Sequence, residues 1–233
     1  MKFPISLALL VSLSGGLTLD AWADENGDRG APGVAPIDST PLGQSYGRWA
    51  EEWWQWGLGA PAATNPILDV TGENCAQRQV DDVWFLAGAF STDPVTRSCT
   101  IPKRKSLFFP LVATFYGAFL NDPDRSEEFV RSQARCTSAT AFDVWIDGRR
   151  VEHPERYFTG RKGSRSPFFN VQLPPDNVFG ADETVIPELL LSPSAEQGYY
   201  LFIGPLKSGE HLIHWTALGC GFSQDITYQL TVE

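Results

Sequence analysis

The chain reads as a mainly β protein, an antiparallel β-sandwich or jelly roll carrying one N-terminal, tryptophan-rich helix. Three observations lead there. Eight or nine short runs of branched and aromatic residues are separated by Gly/Pro-rich turns, the punctuation of a strand-built domain. Only one stretch, residues 45–58, has strong helical periodicity. Strands and helices do not alternate as a parallel βαβ sheet would require.

Residues 1–23 have the pattern of a secretory signal: Lys2, an apolar run over 5–13 with Leu17 and Leu19 behind it, then Ala21-Trp22-Ala23 as a small-x-small cleavage site. Residues 24–44 are rich in Gly, Pro, Asp and Ser and predict a flexible leader, because so few apolar groups cannot offset the cost of ordering it. Residues 45–233 then form a single domain, within the size that one hydrophobic core supports.

Within that domain Ser45 is placed to cap a helix through Leu58, ended by Gly57, Gly59 and Pro61. Tyr46, Trp49, Trp53 and Trp56 recur at spacings of three and four and predict a buried stripe. Trp54 lies about 100° around the helix from Trp53 and is therefore expected to be exposed, a candidate aromatic platform for a ligand. Strands are predicted at 83–86, 107–112, 142–146, 168–173, 185–191, 199–203, 211–217 and 226–232, with Asp147-Gly148 as a tight hairpin turn into Arg149-Arg150. The connections 121–140 and 152–167 read as long loops.

The runs Trp49-Ala-Glu-Glu-Trp-Trp-Gln-Trp56, Val83-Trp-Phe-Leu-Ala-Gly88, Cys99-Thr-Ile-Pro102, Leu107-Phe-Phe-Pro110, Gly209-Glu-His-Leu-Ile-His214 and Asp225-Ile-Thr-Tyr-Gln-Leu-Thr-Val232 together resemble a family of secreted bacterial proteins of uncharacterised activity. The resemblance covers most of the chain after residue 23. It implies a bacterial exported protein, secreted or periplasmic, and carries no activity, ligand or site residue with it.

In an oxidising compartment Cys75, Cys99, Cys136 and Cys220 are disulfide candidates with three possible connectivities. The local pairing Cys75–Cys99 is preferred, leaving Cys136–Cys220 to staple the last hairpin to the middle of the chain. The net charge of −10 argues against nucleic acid and anionic membrane as partners, and no apolar run after residue 23 is long enough for stable membrane insertion.

Candidate sites follow from the last hairpin. A turn centred on Gly221 would set Trp215 opposite Thr227 and His214 opposite Tyr228. Leu212, His214, Ile226, Tyr228 and Leu230 would then face the core, and His211, Trp215, Asp225, Thr227 and Gln229 the outside. Trp215, Thr227 and Gln229 accordingly form the predicted ligand face, an indole beside hydrogen-bonding groups. The basic segment 149–165, with Arg161 and Arg165, is its expected charged rim, opposed by the simpler reading of a solvated loop. His211 and His214 are three apart on a strand and point to opposite faces, so no metal centre is expected, and no sequence pattern calls for a cofactor. Hydrolase signatures are missing. The resulting expectation is a non-catalytic exported protein that binds a glycan or a partner protein. The alternative is a secreted polysaccharide hydrolase whose carboxylate pair would come from residues such as Glu51, Glu52, Asp143 or Asp225.

Overall fold

The computed structural model describes residues 33–79, 81–137 and 139–233. The signal pattern and residues 24–32 of the leader lie outside them. The expected mainly β class is found: the described residues form nine strands in two sheets with two α-helices. In chain order these are α1 (Tyr46–Leu58), β1 (Val83–Phe85), β2 (Val95–Ile101), β3 (Ser106–Phe119), α2 (Glu127–Gln133), β4 (Ala139–Ile146), β5 (Arg149–Arg150), β6 (Phe169–Gln172), β7 (Leu190–Ile203), β8 (Gly209–Gly219) and β9 (Phe222–Val232).

One sheet has the order β1-β3-β7-β6 and the other β2-β9-β8-β4-β5. Most neighbours are antiparallel, but β1–β3 and β2–β9 are parallel. The four-stranded sheet is buried on both faces. Leu107, Phe109, Leu111, Leu201 and Ile203 meet Val144, Ile213, Trp215, Ile226 and Tyr228 between the sheets. Phe108, Phe115, Tyr200 and Phe202 face α1 on the other side. The fold is thus three layers, sheet on sheet on helix.

Ser45 caps α1 by accepting from the Arg48 N–H, and Asn65 fastens its far end by donating to the carbonyls of Gly57 and Ala60. The stripe is buried as expected, and every indole N–H has an acceptor: Trp49 the Pro41 carbonyl, Trp53 that of Leu86, Trp56 that of Gln77. Trp54 corrects the expectation of an exposed platform. It is only 7% exposed, stacks on Phe115 at 4.9 Å and donates to the Tyr200 hydroxyl at 2.9 Å. Helix periodicity places it off the stripe, but Phe115 near the far end of the 14-residue β3 covers that side too.

Residues 33–44 also differ from the predicted flexible leader. Val34 bridges Ile203, the Ala35 N–H bonds the Phe202 carbonyl, and the Ala35 carbonyl accepts from the buried Tyr46 hydroxyl. The connection 121–140 is not all loop: Ser126 caps α2, whose first turn carries Glu127 and Glu128 and whose last carries Arg131, each sign at its favourable end. Both disulfides form with the preferred pairing, Cys75–Cys99 and Cys136–Cys220.

The last hairpin is shifted by one residue from the expected register. Cys220 and Gly221 both have positive φ and make a two-residue turn, so Gly219 pairs with Phe222, Ile213 with Tyr228 and Trp215 with Ile226. A one-residue slip exchanges the faces of a strand. Trp215, expected outside, is therefore fully buried, donating to the Leu111 carbonyl and flanked by Phe109 and Tyr228. His214, expected inside, lies on the outer face.

Candidate binding cleft

One buried cation organises the region between α1 and the sheets. Arg97 alternates inward on β2 with Val95, Cys99 and Ile101 and is 1% exposed. Its guanidinium donates to the carbonyls of Asp69, Ala87, Gly88 and Ile67 and to the Tyr228 hydroxyl, over whose ring it also lies. All five bonds go to neutral oxygens. They tie segment 67–69 and segment 87–88 to the five-stranded sheet, and those two segments become walls.

Between these walls lies a cleft of about 310 Å³. Trp53, Trp54 and Leu58 of α1 form one side, Ile67, Gly88 and Ala89 another, and residues 110–115 of β3 the floor. Phe90 and Phe179, from two separate connections, and Phe222, the first residue of β9, surround the mouth and are 49%, 52% and 47% exposed. Among the described residues no acidic, basic, histidine, serine, tyrosine or cysteine side chain lines it. The polar side chains that do are mostly occupied. The Gln224 amide bonds both main-chain groups of Ala89, and the Thr114 hydroxyl donates to the Ala134 and Gln197 carbonyls. The surface therefore offers shape and apolar contact but no general acid, base or nucleophile.

Beneath the cleft floor sits a buried carboxyl. Glu196 of β7 has no exposed surface and accepts from the Thr159 hydroxyl at 3.1 Å. Burial pushes its pKa up to about 7, against the hydroxyls of Tyr200, Thr159 and Ser166 and the Arg131 guanidinium, which favour the charged form. Tyr200 links it to the indole of Trp54.

The structure rearranges the residues of the predicted ligand face. Thr227 and Gln229 do lie on the outer face of the five-stranded sheet, but the tryptophan beside them is Trp145 of β4, 37% exposed, not Trp215. Trp145, Leu212, His214, Thr227 and Gly148 line a shallow depression there. His214 contacts Asp225 at 3.0 Å, and Asp143 is held below the usual carboxylate range by the Trp145 indole and by Arg150 at 2.9 Å. Arg161 and Arg165 do not rim this face. Their segment crosses to the other sheet, where Phe158 bridges Tyr199, the Thr159 N–H bonds the Gly198 carbonyl, and Arg165 abuts Gly47 of α1. Neither the cleft nor Arg97 was foreseen from sequence. The signal for Arg97 was its even spacing from Val95, Cys99 and Ile101.

Among the described residues no group of three or more His, Cys, Asp or Glu could hold a metal, and no helix is long and apolar enough to cross a membrane. Neither a family model, nor a curated protein, nor a solved structure matches the chain.

Proposed function

We propose that the chain is an exported, non-catalytic binding protein whose principal ligand enters the aromatic cleft. The carrying observation is the convergence of three half-exposed phenylalanines on a concave, uncharged surface, since exposed apolar patches of that kind mark ligand or partner sites. Two disulfides and the signal pattern of residues 1–23 support export. Binding is favoured over hydrolysis because the carboxylates nearest each other in register, Asp143 and Asp225 on either side of Thr216, stand on an open sheet face. They are about 10 Å apart at the backbone, two strand spacings. Each is already engaged, by Arg150 and His214 respectively.

An uncharged fluorescent probe, N-phenyl-naphthylamine, should bind the protein and brighten. Replacing the three rim residues together (Phe90→Ser, Phe179→Ser, Phe222→Ser) should weaken that binding by about tenfold or more while the melting temperature holds, because the rings are exposed in the free protein. Equal affinity in the triple variant would remove the cleft as the site.

A second reading, glycan binding on the outer face of the five-stranded sheet, is favoured by the exposed Trp145 with His214, Thr227 and Gln229 around it. Titration with soluble oligosaccharides should then quench tryptophan emission, and Trp145→Ala should abolish the quench. A quench that survives the substitution excludes this face.

A further inference from the structure

The cleft runs along an open sheet edge. β1 pairs with β3 only from Val83↔Ser106 to Phe85↔Phe108, and the chain then turns away, its Ala87 and Gly88 carbonyls taken by Arg97. Beyond Phe108 no strand of the described residues lies on that side of β3. Residues 110–115 face the cleft instead.

The register with β7 shows which main-chain groups point there. In an antiparallel pair, residues whose N–H and C=O turn away from each other form the non-hydrogen-bonded pairs. Gly198 turns away from β3: its carbonyl accepts from the Thr159 N–H and its N–H donates to the Thr159 hydroxyl. Its partner Ala113 must therefore direct both N–H and C=O to the opposite edge, the cleft side. A Cβ placed on Gly198 would overlap that of Ala113 at 2.4 Å, so a residue without a side chain is needed opposite Ala113. Glu196 likewise offers its carbonyl away from β3, to Arg131, so its partner Phe115 also points its main chain into the cleft. Upstream, the Tyr200 N–H bonds the Tyr157 carbonyl, which turns the Pro110 carbonyl the same way, and Pro110 has no N–H to leave unpaired.

Ala113 and Phe115 thus present two donors and two acceptors at the two-residue spacing of a strand, within an apolar cleft. A small apolar molecule could fill the space yet satisfy none of them. A backbone can. Both faces of an added strand would meet apolar groups, Trp53, Trp54 and Phe179 on the helix side and Phe222 on the other, and no charged side chain lines the way. We propose that the cleft accepts an extended, uncharged, apolar polypeptide segment of a partner protein as an additional strand on β3, in the row where β1 stops. This rests on the reading of the cleft as the binding site and names its ligand class.

The test uses the whole protein with the peptide acetyl-Ser-Val-Ile-Val-Ser-amide and a version N-methylated at alternate residues, which keeps the side chains but cannot pair along one edge. The plain peptide should bind and displace the naphthylamine dye, and N-methylation on one of the two alternations should weaken it by about tenfold or more. Amide exchange at Ala113 and Phe115 should slow on binding, at those positions first. Ala113→Pro removes one cleft-facing N–H that the β3–β7 ladder does not use, so it should lose peptide affinity while still binding the dye. If the dye binds but both N-methylated forms match the plain peptide, the cleft is a site for apolar small molecules and strand addition is overturned. If neither dye nor peptide binds, both readings fall. Self-association of the protein that Ala113→Pro abolishes would assign the edge to a second copy of this chain and overturn the partner proposal.

Discussion

Arg97→Met should destabilise the fold by about 3–5 kcal/mol, the scale for breaking a buried charged network from one side, and is the most damaging single substitution expected outside the aromatic core. Methionine fills similar space but leaves the carbonyls of Asp69, Ala87 and Gly88 without their donor in an interior that water does not reach. Arg97→Lys should rescue little, since one ammonium cannot span carbonyls on two segments that a planar fork joins. The check is chemical denaturation, with a lower midpoint at unchanged slope. The dye affinity of the cleft should fall in parallel, because Ile67 and Gly88 are among its walls. A loss under about 1 kcal/mol would show that the bonds are incidental to packing.

Glu196 predicts a pH dependence of definite sign. Its pKa is about 7 in the folded protein against an ordinary 4.5, so the folded state holds the proton more tightly. The stability associated with that proton is fully present below about pH 4.5 and is lost as pH rises through about 7. Glu196→Gln keeps the neutral shape at every pH. The variant should match the wild type near pH 4.5 and exceed it above pH 7 by up to about 3 kcal/mol, the linkage equivalent of the shift. Taking the difference between the two proteins at each pH cancels the titration of every other group. A difference that does not change across the window would mean that the carboxyl stays charged in its pocket, held by Arg131 and the surrounding hydroxyls.

What sequence reveals here depends on how local its cause is. The stripe of Trp49, Trp53 and Trp56 is legible because helical spacing alone decides it. The fate of Trp54 is not, since it is decided by Phe115, which arrives some sixty residues later on a strand longer than its apolar run suggests. Asp147-Gly148 announces its turn by residue type, and the hairpin forms there. Cys220 adopts the same left-handed conformation without any such preference, so residue types alone centre the turn on Gly221 and set β8 one residue out of register. On β9 the alternation of Ile226, Tyr228 and Leu230 marks the buried face whatever the turn. On β8, apolar residues occupy both parities and mark neither face as the buried one. The cleft is harder still, being assembled from seven separated stretches, two of them held by an arginine that composition alone would assign to the surface.

The parallel pairing of β2 with β9 has a consequence for how the molecule is made. Arg97 and the Tyr228 hydroxyl that completes its bonds are 131 positions apart, and the Cys136–Cys220 link spans a further long separation. Such non-local contacts slow folding, because loop entropy is lost before they form. During synthesis β2 must wait, unpaired on that side, until the last strand has emerged. A partly made chain therefore carries a strand whose Arg97 lacks its Tyr228 partner and an unfinished sheet, the kind of species that is exposed to aggregation. Completion of the arginine network and of the five-stranded sheet is thus a single late event in the life of the polypeptide.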